Sequence, residues 1–313
     1  MTIDVTVDLQ TSVSFRHFWR STGLSPAALL LEPEMHMALA LLGSVPRRGI
    51  EYVRVHYLLD LVTVDAHGYN FTYLDRALDA IINTHLLPFF ELMGNPSERF
   101  TDFEDDNQVR AWADFVEETI SRYLARYGQD TVRRWYFETW NEPDLAWWQF
   151  GDIGLNNYYD ACVEGLQRVD PHLRIGGPGT ARTLSPRFKQ FLAHCDSGIN
   201  YFTGEVGTRL DFISVHEKGV KSHPEDLTPD TDGICQRELQ AVNYIREHHP
   251  KFADVPFINN ECDPQVGWRQ YHSWRGLPYT AAIICKIVAQ HQTQLVEGSV
   301  DVAPADTSSR AVN

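Results

Sequence analysis

Short runs of apolar, β-branched and aromatic residues recur along the chain, and most are followed by an amphipathic segment of helical length. Near-continuous apolar strands that alternate with helices indicate a parallel sheet covered on both faces. We predict strands at residues 17–22, 51–58, 86–94, 133–140, 173–179, 211–219 and 255–261. The clearest helices are predicted at residues 72–84, 106–128 and 155–169, with Asp75 and Asp79 facing outward.

Such strand-helix units fit a (β/α)8 TIM-type barrel that lacks a proper eighth strand better than an open doubly wound sheet. The predicted catalytic barrel domain spans residues 1–295 and is incomplete at its carboxyl end. Residues 296–313 hold few large apolar side chains, and Pro304 closely follows their only β-like run, so we expect a disordered tail. On this interpretation the chain is a fragment or shortened isoform with an open, marginally stable and poorly active barrel.

Charge and composition exclude several classes of function. The formal net charge is −15, from 42 acidic and 27 basic side chains, which argues against nucleic acid or an anionic membrane as a partner. No run of eighteen apolar residues exists, and the amino terminus lacks the features of a signal peptide. The five cysteines are widely spaced without a Cys-x-x-Cys pair, so we expect mostly buried thiols, at most one or two disulfide bonds, and no metal or organic cofactor.

Carboxylates follow two of the predicted strands. In a parallel barrel the carboxyl ends of the strands converge on one mouth, where polar residues are typical of catalysis. Glu142 follows the fourth strand and Glu261 the seventh. Cleavage of a glycosidic bond needs two such groups, one to protonate the leaving oxygen and one to attack the anomeric carbon or activate water. A separation of about 5 Å implies retention of configuration, and roughly 6.5–9.5 Å implies inversion.

Other polar and aromatic residues are expected around the same mouth. They are Arg20, Arg54, His56, Glu91, Gly176 to Gly179, His216, Lys218, Asp263 and Trp268. Some have simpler interpretations: "WNEPD" could be an ordinary loop, "NNECD" a polar turn, and the two histidines packing residues. Glu91 is better explained as an internal partner of Arg54 than as a catalytic group. The remaining histidines, such as His194, His248 and His249, are expected at the surface or at helix ends.

Several segments together resemble the α-L-iduronidases of glycoside hydrolase family thirty-nine. They include "HFWRSTG", "VRVHYLLDLVT", "FETWNEPD", "GGPG", "KFAD" and "CDPQVGW", and the resemblance is nearly continuous from about Phe15 to Gln294. It implies a (β/α)8 barrel that removes terminal α-L-iduronic acid from dermatan sulfate and heparan sulfate fragments, with retention of configuration and without a cofactor. It also implies a lysosomal location.

The resemblance carries over to individual residues. Glu142 matches the acid/base of the family, and Glu261 matches the nucleophile. The positions that match substrate-binding residues are His56, Asn141, His216, Lys218, Gly267 and Trp268. Lys218 and a protonated histidine suit a substrate carboxylate, and an acid pH optimum is expected. Asn70, in Asn-Phe-Thr, is an acceptable N-glycosylation site and would make the protein a glycoprotein.

The chain also departs from the family pattern. The loop before "GSVPRRGI" is shorter and offers only His36, and Cys262 occupies a position where a small residue is more usual. Two alternatives therefore stay open. One is another retaining glycosidase of the same superfamily, such as a β-xylosidase, which activity on a neutral xyloside would reveal. The other is an inactive, truncated glycan-binding isoform, which would bind heparan fragments without turnover.

Overall fold

The computed structural model describes residues 17–219, 230–263 and 273–297. Its strands are β1 Ser21–Leu24, β2 Tyr52–Val55, β3 Thr63–Asp65, β4 Gly68–Asn70, β5 Leu87–Glu91, β6 Tyr136–Glu138, β7 Arg174–Thr180, β8 Phe212–Val215 and β9 Phe257–Asn259. Its helices are α1 Pro33–Gly43, α2 Thr72–Ile82, α3 Asp106–Tyr127, α4 Gln129–Val132, α5 Gly151–Val169, α6 Pro186–Ser197, α7 Thr231–His248 and α8 Pro278–His291.

Seven of these strands form one sheet in the order β1-β2-β5-β6-β7-β8-β9, and every neighbouring pair is parallel. Strands β3 and β4 form a separate antiparallel hairpin. Because chain order and sheet order agree, the fold is a (β/α)8 TIM-type barrel of which the described residues supply seven strands, as predicted. Within the same residues, β1 and β9 each pair with a single neighbour.

The first strand begins later than predicted. Pairing starts where Ser21 lies opposite Tyr52, and the carbonyl of Arg20 accepts hydrogen bonds from the start of that partner strand. Of the predicted strand, the described residues 17–20 therefore precede the paired part. At the other end, Gln292–Glu297 form a π-helical turn that includes the first two residues of the predicted tail. The rest of that tail, residues 298–313, lies outside the described residues, and its disorder stays a prediction.

Local sequence explains where the main helices begin and end. Helix α3 begins after Asp105, whose carboxylate accepts a hydrogen bond from the backbone N–H of Gln108 at 3.0 Å. It ends at Gly128, whose φ of 83° suits glycine best. Helix α6 begins with Pro186 after Ser185, whose side chain accepts a hydrogen bond from the N–H of Phe188.

The outward orientation predicted for the two acids of α2 is wrong for Asp75. Its side chain is buried, because Arg122 of α3 donates to it at 2.8 Å. Asp79 is only partly buried and pairs with Arg126, one turn further along α3. Both acids therefore lie at the interface between α2 and α3, where arginines of α3 form ion pairs with them.

The predictions for the remaining histidines and for the cysteines are largely confirmed. His194 lies in the last turn of α6 and His249 directly follows α7. Both are buried, each beside a carboxylate, Asp160 at 3.0 Å and Asp196 at 2.9 Å respectively. All five cysteines are free: three are buried, Cys262 is partly buried, and Cys285 is exposed. Among the described residues, no helix is long and apolar enough to cross a membrane.

The interior of the sheet changes from aromatic to polar along its strands. Side chains of four strands form an aromatic layer, with ring centroids 4.9–5.5 Å apart: Tyr52, Phe89, Tyr136 and Phe212. Successive residues of a strand alternate between faces, so the residue two positions later shares the same face. Those residues are polar: Arg54, Glu91, Glu138 and Ser214. The aromatic layer thus supports a charged layer at the carboxyl ends of the strands.

Candidate active site

The two carboxylates predicted at strand ends lie side by side. Glu142 follows β6 and Glu261 follows β9. One carboxylate oxygen of each and one ring nitrogen of His216 all lie within 4.8 Å of one another. Nδ1 of His216 is 2.9 Å from Glu142 Oε1 and 3.6 Å from Glu261 Oε1, so the imidazole contacts both groups. This spacing is close to the value of about 5 Å that accompanies retention of configuration.

A strained turn positions Glu142. Its φ is 46°, in the left-handed region that non-glycine residues seldom adopt, and Pro143 follows it. The turn is held by a hydrogen bond from the Glu142 N–H to the carbonyl of Gly179 at 2.9 Å. Gly179 has a φ of 57°, and a Cβ there would lie 3.4 Å from Glu138 Oε1 and 3.5 Å from Arg54 Nη2. Such strain is typical of functional sites, where the surrounding structure has to maintain it.

Arg54 is the centre of the charged layer and is almost completely buried. Its guanidinium lies 2.5 Å from Glu91, 2.6 Å from Glu138 and 2.9 Å from Glu261. It also donates to the side-chain carbonyl of Asn141 at 3.1 Å. One cation therefore connects four strand ends, and the interpretation of Glu91 as its internal partner is confirmed.

His56 lies between two carboxylates. Its Nδ1 is 2.8 Å from Glu91 and its Nε2 is 3.1 Å from Glu261. Both ring nitrogens can donate only when the imidazole is protonated. Burial by itself lowers the pKa of His56, but the charge of Glu91 and the hydrogen bonds to both carboxylates raise it to about 9. We infer that His56 is a cation throughout the neutral and acid range.

This raised pKa predicts a pH dependence of stability. Because the pKa of His56 is about 9 in the folded protein and about 6.5 in an unfolded chain, its stabilising charge is fully present below about pH 6.5. That contribution is lost as the pH rises through about 9. In urea unfolding, the free energy of unfolding of His56→Asn should therefore be far below that of the wild type at pH 6 and closer to it near pH 10. The exposed His67, replaced in the same way, is the control. A difference in unfolding free energy between His56→Asn and the wild type that stays constant with pH would contradict the prediction.

Lys218 holds the other side of Glu261. Its Nζ is 2.5 Å from Glu261 Oε2, 3.6 Å from Asp263 and 3.9 Å from Glu142. Burial tends to raise the pKa of Glu261, but electrostatic interaction with His216, Lys218 and Arg54 and the hydrogen bond from His56 hold that pKa well below its ordinary value. Glu261 is therefore ionised, which is the state a nucleophilic carboxylate needs.

Opposing influences also act on the pKa of Glu142. Burial raises its pKa, as does the charge of Glu261, but the hydrogen bond and charge of His216 and the charge of Lys218 bring the pKa below its ordinary value. Without a ligand Glu142 is therefore ionised as well. A ligand that engaged His216 and Lys218 would remove the effect that lowers the pKa of Glu142, and Glu142 would then take up a proton more readily.

Two site residues were not identified from the sequence. Glu138 is fully buried, and its second carboxylate oxygen accepts a hydrogen bond from Asn260 Nδ2 at 2.7 Å. The signal for Glu138 was the alternation along β6, because it lies two residues after Tyr136 and so shares its inward face. Nothing in the sequence indicated that Asn260 would contact Glu138, since they belong to strands that are not neighbours.

A cavity of about 410 Å³ is lined by residues that neighbour the site in sequence, though not by the two carboxylates themselves. Tyr57, which follows His56, and Trp140, which precedes Asn141, form part of its wall. Its other aromatic residues are Trp147 and Phe150, and its acidic residues are Asp60 and Glu98. Aromatic walls with a few polar groups are typical of binding sites for small organic ligands, including sugar rings.

Some predicted residues are not part of this cluster. Gly267 and Trp268 lie outside the described residues. Asn70 is exposed at the end of β4, where its side chain accepts a hydrogen bond from the N–H of Thr72, and its glycosylation stays a prediction. His36 lies in α1 and contacts the carbonyl of Leu30. His56, Asn141, His216 and Lys218, by contrast, all lie around the two carboxylates.

Comparison with known proteins agrees with this geometry. The sequence profile of the glycosyl hydrolases family 39 matches residues 1–303. The chain belongs to glycosyl hydrolase family 39. Among curated members, human α-L-iduronidase is 44% identical over 309 residues, which cover 92% of this chain and 46% of the relative. The family 39 chain thus spans about half the length of the curated relatives it matches.

Solved structures give the same result. A bacterial orthologue of human α-L-iduronidase is 52% identical, with a TM-score of 0.89 over 95% of this chain and 48% of the other. That orthologue does not need N-glycans to be catalytically competent. A monomeric β-xylosidase from Caulobacter crescentus is 25% identical, with a TM-score of 0.72 over 90% of this chain and 60% of the other. The family 39 barrel is therefore shared by proteins with different named substrates.

Proposed function

We propose that this chain carries the catalytic barrel of a retaining glycosidase that removes terminal α-L-iduronic acid from dermatan sulfate and heparan sulfate fragments. Glu142 is the acid/base and Glu261 the nucleophile. The observation that supports this most is the closely spaced carboxylate pair with Lys218 and His216 against it. Similarity supports it too, because the α-L-iduronidases are 44% and 52% identical and the β-xylosidase structure only 25%.

In the first step of the proposed reaction, an oxygen of Glu261 attacks the anomeric carbon. The bond from that carbon to the leaving oxygen breaks, and Glu142 gives its proton to the leaving oxygen. The product is a covalent ester between Glu261 and the sugar. Arg54, His56 and Lys218 hold the Glu261 carboxylate in place, so that little reorganisation is needed before attack.

In the second step, water replaces the leaving group. Glu142, now a carboxylate, takes a proton from the water molecule as its oxygen attacks the anomeric carbon. The ester bond breaks, and Glu261 leaves again as a carboxylate. Two inversions give net retention, and Glu142 ends the cycle protonated.

The substrate carboxylate has a direct role in this proposal. Lys218 and His216 lower the pKa of Glu142 in the ligand-free protein. An iduronate carboxylate that pairs with these cations weakens their hold on Glu142, so that its pKa rises and it becomes a competent acid. A neutral sugar offers no such charge. The site would thereby couple recognition of the acid sugar to the protonation that the reaction requires.

The other proposed roles follow from the same cluster. His56 and Asn141, together with Gly267 and Trp268, would contact the sugar, with the aromatic cavity left for the remainder of the glycan. We further propose an acid pH optimum and a lysosomal location, with Asn70 carrying an N-glycan. The partner molecules are glycosaminoglycan oligosaccharides.

Hydrolysis of an aryl α-L-iduronide at about pH 4–5, where histidines are charged, tests the proposed function. The expected result is turnover that releases iduronic acid of unchanged anomeric configuration, and a much lower rate on the matching β-xyloside. A faster rate on the xyloside would favour the β-xylosidase alternative. Binding of heparan fragments without turnover would favour the inactive glycan-binding alternative.

Lys218→Ala tests the recognition of the substrate carboxylate. Because Lys218 also holds Glu261, the variant should lose activity on every substrate. The loss should be larger on the iduronide than on an uncharged pyranoside, by about 1.5–3 kcal/mol in kcat/KM, the range of a charge-assisted hydrogen bond. The exposed Lys189, replaced by alanine, is the matched control. Equal losses on both substrates would show that Lys218 only positions Glu261.

A further inference from the structure

A second group of side chains that could hold a metal ion is separate from Glu142, His216 and Glu261, although one of its members directly follows Glu261 in the chain. It consists of Glu238 of α7, Cys262 after β9, and His291 at the end of α8. One donor atom of each lies within 4.8 Å of the other two. The three residues come from separate parts of the chain, which is why no ligand spacing is visible in the sequence. A carboxylate, an imidazole and a thiolate are the ligands that zinc prefers.

The surrounding hydrogen bonds orient these donors. Nδ1 of His291 donates to the carbonyl of Ile287 at 2.7 Å, which leaves Nε2 facing Glu238 Oε2 at 3.0 Å. The other oxygen of Glu238 accepts a hydrogen bond from Asn259 Nδ2 at 2.6 Å. Zinc-binding histidines and carboxylates are typically held in this way, with the second nitrogen or oxygen bound to a backbone carbonyl or a side chain.

Acidic side chains lie around Cys262. The carboxylates of Glu238, Asp263 and Glu217 act electrostatically on its sulfur. A divalent cation at the sulfur would be attracted by these carboxylates and would displace the thiol proton.

We propose that Glu238, Cys262 and His291 form a zinc(II) site, bound through a Glu238 carboxylate oxygen, the Cys262 sulfur and His291 Nε2. Cys235 is not part of this ligand set, because its sulfur lies 3.7 Å from Nδ1, the ring nitrogen of His291 that faces away from the metal. Binding requires the thiol and the imidazole to release their protons. Zinc bonds of roughly 2.0–2.3 Å place neighbouring ligand atoms roughly 3.3 Å or more apart, so Glu238 Oε2 and His291 Nε2, now 3.0 Å apart, have to separate slightly to admit the ion. This site does not depend on the proposed glycosidase activity.

The position of the cluster indicates what zinc would do. The rings of His291 and Phe18 are 6.4 Å apart, and Phe18 precedes β1. Cys262 follows β9, and both it and Trp274 pack against isoleucines of α7 and α8. In the described part of the chain, this is the side on which β9 and β1 lack a common neighbouring strand. Zinc would therefore connect α7, α8 and the end of β9 where the sheet is least supported.

Metal titration of the complete chain tests the proposal. After treatment with a chelator, the protein should bind one Zn²⁺ and gain thermal stability, and Co²⁺ should give the near-ultraviolet band of a metal thiolate. Cys262→Ala should abolish the band and weaken zinc binding by about 100-fold or more, since even changes behind the ligands cost about 10–100-fold. Cys285→Ala removes an exposed cysteine of α8 and should change nothing.

Two results would overturn the proposal. One is Zn²⁺ binding that is equally tight in Cys262→Ala and the wild type, which would assign the metal to another cluster, such as the thiol-free Glu142, His216 and Glu261. The other is a Co²⁺ complex without a thiolate band. If Cys262→Ala fails to fold, Cys262→Ser replaces it in the test, because serine keeps nearly the same side-chain shape and the variant should still lose the thiolate band.

Discussion

Glu261→Gln is expected to reduce turnover of an aryl α-L-iduronide by on the order of 10⁶-fold, comparable to the loss of the nucleophile in other enzymes that use covalent catalysis. The amide keeps the shape of the side chain but cannot form the ester bond of the first step. The comparison is made as single-turnover and steady-state rates of the purified variant. Glu205→Gln, an exposed glutamate exchanged in the same way, should retain full activity.

Glu142→Gln should behave differently. Only the protonation of the leaving oxygen and the activation of water need Glu142, so we expect losses of about 10²–10⁴-fold on sugars with poor leaving groups. A substrate with a good leaving group does not need the proton, and its first step should be largely preserved. The ester on Glu261 would then accumulate as a burst, which rapid mixing can detect.

The two variants together test the assignment of Glu261 as nucleophile and Glu142 as acid/base, because each role predicts a different loss of activity. A Glu142→Gln variant that is equally inactive on good and poor leaving groups would contradict the acid/base role. Activity retained by Glu261→Gln would contradict the nucleophile role. Because both changes keep side-chain shape, a melting curve for each variant separates these outcomes from loss of the fold.

Arg54→Met is expected to destabilise the protein by about 3–5 kcal/mol, the usual cost of leaving buried charges without their partner. Arg54 is 1% exposed and lies within 2.9 Å of three carboxylates, Glu91, Glu138 and Glu261, which methionine would leave facing one another. Urea unfolding at neutral pH measures the loss. The loss of stability should be smaller at low pH, where protonated carboxyl groups no longer repel one another.

Two further variants make the cause specific. Arg126→Met removes an exposed arginine that pairs with Asp79, and such pairs contribute about 1 kcal/mol or less. Arg54→Lys keeps the charge but not the planar fork, so it should recover part of the stability but little of the positioning of Glu261. If Arg54→Met and Arg126→Met lose similar amounts of unfolding free energy, Arg54 does not hold the charged layer together.

The parallel sheet and the place of the site were predictable because both depend on local patterns. Apolar runs separated by amphipathic helices imply parallel strands, and parallel strands bring their carboxyl ends to one mouth. Glu142 and Glu261 follow two such strands, so their meeting could be predicted without coordinates. The boundaries of β1 could not, because a strand extends only as far as its partner, here the strand that begins at Tyr52.

Predictions failed where a residue's environment depends on a distant segment. Asp75 has the spacing of an exposed helix residue, yet Arg122 of the neighbouring helix buries it. His194 lies at a helix end as expected, but the sequence did not indicate that Asp160 of α5 would accompany it in the interior. Local hydrophobic periodicity cannot reveal a partner more than thirty residues away, and the free energy of burying a polar group depends on that partner.

The sequence by itself determined the order of strands and helices and the two carboxylates at the mouth, because alternation and turn chemistry act over a few residues. Only the tertiary structure decided the charges of those carboxylates. Arg54, His56, His216 and Lys218 converge on them from two different strand ends, and their hydrogen bonds set the protonation state of each group. The same holds for Glu238, Cys262 and His291, whose donors meet through packing alone. Electrostatic energies fall steeply with distance, so such sites depend on positions in space that no spacing along the chain encodes.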